Sequence, residues 1–128
     1  MDTSLFALAS RRMDWLGQDQ RVTAENIANA NTPGFRARRI EDFAAVLGRT
    51  SATGPATTDA GHIAGLDGSR GGARVSTDDA AWGTTLDGNS VVLEQQTIRS
   101  GQIGGAYALA SSLYGKGHAF LRLAAGAS

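Results

Sequence analysis

A chain of 128 residues with 12 basic and 12 acidic side chains carries no net charge, which excludes a generally basic nucleic-acid binder. It has no cysteine, so disulfide frameworks and thiolate metal sites are excluded as well. Leu, Ile, Val and Phe number only 25 beside 22 alanines and 17 glycines, so the most it can build is one domain with a thin core of small side chains, and a deep enzyme pocket is not expected.

The chain opens Met1-Asp2-Thr3-Ser4 with no basic stretch, and Arg11 and Arg12 interrupt the apolar run that follows. This does not read as a secretory signal peptide. From Thr3 to Asn31 there is no proline and one glycine. Leu5, Leu8, Met13, Leu16, Val22 and Ile27 recur near the 3.6 period, with Arg11, Asp14, Asp19, Arg21 and Glu25 between them. The spacing predicts an amphipathic helix of about 25 residues. Thr32-Pro33-Gly34 ends it, because proline lacks a donor and Pro-Gly suits the centre of a type II turn. Residues 1–34 thus form a first unit.

Residues 35–86 form the second. Ile40, Phe43, Ala44 and Leu47 have the spacing of one short helix. Gly48 to Thr85 holds eight glycines among Ala, Thr, Ser and Asp. This aperiodic stretch predicts a loop or a segment ordered by a partner, and it leaves room for a short hairpin.

The third unit covers residues 87–128. Asp87-Gly88 signals a turn, Asn89 or Ser90 is placed to cap a helix, and Glu94 would lie in its first turn. Beyond it, Val92, Arg99, Ala106, Leu113 and Phe120 fall seven apart, as do Gln96, Ile103, Ala110, Gly117 and Ala124. Spacings of four and three describe a coiled-coil seam, flawed by Arg99 and Gln96. Gly101, Gly104, Gly105, Gly115 and Gly117 each cost about 1 kcal/mol against alanine in a helix. They fit either a closely approaching helix or compositional drift toward small residues. The charge-free run from Ser100 to Gly115 is shorter than the ~20 apolar residues of a membrane span.

Chemistry-bearing patterns are few. His62 and His118 lie in different units, and no metal-binding, nucleophile or phosphate-loop spacing occurs. Asp78-Asp79 and Glu41-Asp42 read as solvated pairs. Phe35-Arg36-Ala37-Arg38-Arg39 is the one basic spot beside an aromatic, and it reads as a solvated or protein-facing patch. No catalytic, cofactor or metal site is expected. Asn26 and Asn29 share a helix face, where their amides either bond a neighbouring helix or chain terminus, or simply belong to a fraying end.

The run Ala24-Glu25-Asn26-Ile27-Ala28-Asn29-Ala30-Asn31-Thr32-Pro33-Gly34-Phe35 resembles the N-terminal signature of bacterial flagellar rod and hook proteins. Arg36-Ala37-Arg38, Asp42-Phe43, Leu47, His62-Ile63 and the segment Leu86 to Val91 with Glu94 are similar to the family's proximal-rod members, and Tyr107 to Lys116 resembles the family's C-terminal helix. Gln96 stands where a second acidic residue is common in them. The resemblance implies a mainly α fold, with N- and C-terminal helices paired as an antiparallel coiled coil around a Gly-rich irregular middle. It implies a structural subunit of the periplasmic basal-body rod, transmitting torque and exported through the flagellar gate without a cleavable signal peptide. Partners would be further copies of itself, other rod subunits, the adaptor protein FliE and the export gate. No nucleic acid and no direct membrane span are implied. Asn26, Ile27, Asn29, Asn31, Thr32, Pro33, Gly34, Phe35 and Arg38 would form the assembly motif, with Val92, Ile103, Ala106, Ala110, Leu113 and Phe120 as the C-terminal seam. Another proximal-rod subunit, a helical-hairpin adaptor or an export chaperone are the alternatives. An isolated subunit is expected to show low helicity and cleavage at both ends.

Overall fold

The computed structural model describes residues 3–52 and 72–126. Along the chain lie α1 (Thr3–Ala28), β1 (Arg38–Ile40), α2 (Phe43–Ala52), β2 (Val75–Thr77) and α3 (Leu93–Gly126). The fold is mainly helical, and α1 and α3 are in contact. Phe6 meets Tyr114 and His118, Asp19 meets Arg99, Gln20 meets Ser100 and Asn26 meets Gln96.

The turn after α1 forms as its residues dictate. Gly34 adopts φ 73° and the Phe35 N–H donates to the Thr32 carbonyl at 3.2 Å, which places Pro33 and Gly34 at the centre of a type II geometry. A second turn closes between Thr85 and Gly88, where Gly88 has φ 82°. The two turns lie back to back. Gly34 N–H donates to the Asp87 carbonyl at 2.8 Å, and a methyl group on Gly88 would sit 3.5 Å from the Gly34 Cα.

Three expectations are corrected here. Ile40 belongs to a strand, not to the short helix, which starts at Phe43 and runs through Gly48 to Ala52. β1 pairs antiparallel with β2, with Arg38 opposite Thr77, Arg39 opposite Ser76 and Ile40 opposite Val75. Pairing buries Ile40 beside Val22, Val46 and Ala73, with Trp15 packed against the group, and that burial outweighs a helical spacing built on four residues. Neither Asn89 nor Ser90 caps α3, which begins at Leu93; both side chains bond segments near the first turn instead. The glycine-rich stretch containing His62, Ile63 and Leu66 lies outside the described residues.

Along the α1–α3 contact, Leu16, Ile103 and Ala110 are buried. The helical glycines divide. A Cβ on Gly117 would come within 2.7 Å of the Phe6 ring, so glycine there allows the ring to lie against α3. Gly101, Gly104, Gly105 and Gly115 have nothing within 4 Å of that position, so none of the described residues uses their smallness.

Candidate functional site

The part of the molecule nearest the turns is held by side-chain amides. Asn26, fully buried, accepts from the Arg38 N–H at 2.9 Å through Oδ1. Its Nδ2 donates to the Arg38 carbonyl at 2.8 Å and to Gln96 Oε1 at 3.0 Å. Two turns earlier on α1, Gln18 does the same to Ala73: Nε2 donates to its carbonyl at 2.8 Å, and Oε1 accepts from its N–H at 3.1 Å. Each carboxamide satisfies both polar groups of one backbone residue, one in β1 and one just before β2. That resolves the bonding demand of a short sheet docked on a helix. Trp15 adds an indole N–H bond to the Glu41 carbonyl at 2.8 Å.

Asn89 closes the end where the two turns meet. Its Nδ2 donates to the Asn29 and Thr32 carbonyls at 2.9 and 2.8 Å, a second bond for each acceptor just past the end of α1. Its Oδ1 accepts from the Val91 N–H at 2.8 Å. Ser90 Oγ accepts from the Ala37 N–H at 2.7 Å, while its own N–H donates to the Phe35 carbonyl at 3.0 Å.

A charge cluster crosses the three layers. Arg99 of α3 lies 3.1 Å from Asp19 Oδ1 of α1 and 3.8 Å from Asp78 Oδ2 beside β2. Both carboxylates are buried. Burial pushes the Asp19 carboxyl above its ordinary value, only partly opposed by Arg99, Arg12 and Arg39. Glu41 is held below its ordinary value by hydrogen bonds from the Arg49 side chain and the Arg74 backbone, and Asp87 by Thr85 and the Asn89 N–H.

These shifts act in opposite directions on stability. Raised in the fold, the Asp19 carboxyl binds its proton more tightly there than in the unfolded chain, so its contribution is lost as pH rises through the raised value. Glu41 and Asp87 contribute above the ordinary carboxylate range and lose that as pH falls through their lowered values. Urea midpoints should therefore rise as neutral solution is acidified toward the carboxylate range, then fall below it. In Asp19→Asn the rise should vanish; an unchanged pH profile would contradict the assignment.

Of the sequence motif, Asn26, Thr32, Pro33, Gly34, Phe35 and Arg38 come together at this end through the contacts above. Asn29 bonds locally, its Nδ2 donating to the Glu25 carbonyl at 2.8 Å and its Oδ1 accepting from Thr32 Oγ1. Ile27 and Asn31 are exposed, and the Arg38 side chain faces solvent. On α3, Gln96, Ile103 and Ala110 are buried and Val92 and Ala106 half-buried, whereas Leu113 and Phe120 remain 53% and 66% exposed. Arg99, a flaw in an apolar seam, is the cation that the buried carboxylates face.

At the opposite end both apolar stripes run on without cover from the other described residues. Leu8, Trp15 and Val22 are seven apart on α1, yet only the last two reach the core. Leu5, Leu8, Leu109, Leu113, Phe120 and Leu123 are all exposed. His118 packs against Phe6 at a tilt and edge-on to Tyr114, each with ring centroids 4.7 Å away. Among the described residues no group of three or more His, Asp or Glu could hold a metal ion, and no helix is long and apolar enough to cross a membrane.

Residues 8–36 match the sequence profile of the flagella basal body rod proteins, spanning nearly all of α1 and the Pro-Gly turn. Over 111 residues the chain is 40% identical to the flagellar basal body rod protein FlgB of Agrobacterium fabrum (strain C58), covering 85% of this chain and 83% of that one.

Proposed function

The chain belongs to the flagellar basal body rod protein family and is a structural rod subunit most like FlgB; from that premise we propose that it completes its fold only within the proximal rod, where it transmits torque and lines the export channel. Partner positions fall along α3 as they rise along α1, from Phe6 with His118 to Asn26 with Gln96. That order supports an antiparallel coiled-coil hairpin. The assembly motif at the turns serves this hairpin first: Asn26 and Asn89 set the angle at which α1 leaves the turn, and so present both helices to neighbours.

The observation that carries the reading is the division of the hairpin into a covered half and a bare half. Isolated helices are marginal in water, and their apolar faces normally supply most of their stability by packing. Here the faces extend beyond what the other described residues cover. The thin core also suits passage through the export gate, because little burial has to be undone. Export without a cleavable signal peptide, a place in the periplasmic rod, and contacts with other rod subunits, FliE and the gate follow from the same reading.

The unfilled glycines offer a test. A Cβ at Gly101 or Gly105 meets nothing within 4 Å among the described residues, and leucine at both should raise the stability of the isolated subunit by up to about 1 kcal/mol per site. If these positions face a neighbouring helix in the rod, the same double variant should fail to restore swimming in a strain lacking the gene. A more stable subunit that still restores swimming would remove the close-packing part of the proposal.

A further inference from the structure

Arg12 stands on α1 between the bare stretch around Leu8 and the covered stretch that begins at Trp15. Its guanidinium lies 4.8 Å from the centre of the Trp15 ring and 5.1 Å from that of Phe43, and the two rings touch, with centroids 5.9 Å apart. Stacking of this kind pins the cation without using its N–H groups. No oxygen among the described residues accepts a hydrogen bond from Arg12. Asp19, two turns further along α1, senses Arg12 only through space and is paired with Arg99. A planar fork of donors is thus held in place and unused.

Beside the guanidinium opens a cleft of about 230 Å³ lined by Leu5, Leu8, Ala9, Phe43 and Leu113, where Arg12 supplies the charge among the described residues. Small-molecule sites run to about 300–1,000 Å³, so this cleft suits side chains presented by another element. Leu5, Leu8 and Leu113 are exposed at its rim, and solvent reaches the half-buried Arg12. An element that covers these leucines also removes that solvent. A wholly apolar cover would leave the guanidinium desolvated and unpaired, which is strongly unfavourable. A carboxylate on the cover would meet a fork already set to receive it through two bonds.

We propose that a helix of a different rod subunit lies in this cleft, and that an Asp or Glu on its apolar face pairs with Arg12. The inference rests on the rod reading and names what the neighbour must carry. A helix laid here needs large apolar residues three or four positions to either side of its carboxylate, where they share one face with it and meet the leucines. No described helix of this chain has that pattern. Its exposed helical carboxylates are Asp14, Glu25 and Glu94. Asp14 has Ser10, Arg11, Gly17 and Gln18 at those positions, and Glu25 has Arg21, the buried Val22, Ala28 and Asn29. Glu94 has Ile98 to one side only, because α3 begins at Leu93. A second copy therefore does not supply the carboxylate.

A photoreactive phenylalanine analogue is placed at Leu8 and, separately, at Leu113 of the full chain in a strain lacking the gene. Basal bodies are purified and irradiated, and the joined peptides are sequenced. The expected product joins either position to a segment of another rod subunit with an Asp or Glu between large apolar residues at helical spacing. No product, a segment without a carboxylate, a segment of this chain or a lipid adduct overturns the proposal and leaves the rod reading standing. Absence of the unaltered chain from basal bodies overturns the rod reading instead. Arg12→Met separates pairing from packing, and it decides alone if neither labelled chain assembles. Its stem still covers Trp15 and Phe43, so the urea midpoint of the isolated subunit should be nearly unchanged. Incorporation should fall by about tenfold or more, the scale for losing one partner of a desolvated charge pair. Incorporation at the unaltered level overturns the pairing. If Arg12→Met lowers the midpoint, charge exchange decides: Arg12→Glu should abolish swimming, and Lys in place of the identified carboxylate should restore it. Swimming retained by Arg12→Glu, or not restored by the exchange, overturns the pairing.

Discussion

Alanine in place of Asn26 should cost the isolated subunit about 3–5 kcal/mol, estimated from the penalty for each buried polar group left unpaired. The substitution strands the Arg38 N–H, the Arg38 carbonyl and Gln96 Oε1 together, since Asn26 serves all three. Gln96 Nε2 is already buried without a hydrogen-bond partner among the described residues, so losing Asn26 leaves both ends of the Gln96 amide unpaired where they stand. Domains of this size hold roughly 5–15 kcal/mol in total, and a core whose buried apolar members include Ala37, Ala73 and Ala110 belongs at the low end. The variant should therefore be largely unfolded. Asn29→Ala removes only exposed, local bonds and should cost about 0.5–1 kcal/mol. Urea denaturation followed by circular dichroism separates the two cases. A loss below about 1 kcal/mol at Asn26 would show that the amide clamp does not hold the strands to α1.

Arg99→Met should cost about 3–5 kcal/mol, because removing one partner leaves buried charge uncompensated. Arg99 is the cation within reach of both Asp19 and Asp78, and their side chains are only 6% and 4% exposed. The loss should arise from the stranded carboxylates more than from the missing guanidinium. Adding Asp19→Asn and Asp78→Asn to Arg99→Met should then recover much of the stability, and the coupling between the sites should exceed 1 kcal/mol. Additive costs in the triple variant would contradict a shared cluster.

Much of the helical frame is legible in the sequence. α1 has a long 3.6 period and a Pro-Gly terminator, and α3 has a heptad pattern over four repeats; both signals are local and long enough to dominate. Ile40 misleads because a three-residue strand shows no alternation, while its spacing to Phe43, Ala44 and Leu47 happens to be helical. The clamps are hidden for a different reason. Gln18 and Asn26 act on backbone groups 55 and 12 residues away, and backbone partners leave no trace in side-chain identity. One signal was available: Gln18, Val22 and Asn26 recur every four residues on the face that Trp15 shares. Amides on an apolar stripe mark something polar docked against it. Likewise, Arg99 on a seam implied a buried anion, and Asp19 was the carboxylate on the facing helix stripe.

The buried polar residues fix how α1 and α3 meet near the turns, and in the proposed assembly the apolar residues beyond them are left for other subunits. Leu16, Val22, Ile40 and Val46 supply the few large contacts near the turns. Past Ala9 on one helix and Ala110 on the other, exposure of large apolar groups rises on both sides of the hairpin at once. A self-sufficient domain would have covered those stripes with its own elements. In a rod, adjacent subunits can do so.

Amide hydrogen exchange on the isolated subunit and on purified basal bodies tests this most directly, since protection reports local opening segment by segment. The account predicts slow exchange in the isolated subunit across residues 13–40 and 73–103, rapid exchange across 3–9 and 105–126, and protection of those ends once the subunit is in the rod. Uniform protection of α3 to its end in the isolated subunit, unchanged on assembly, would contradict it.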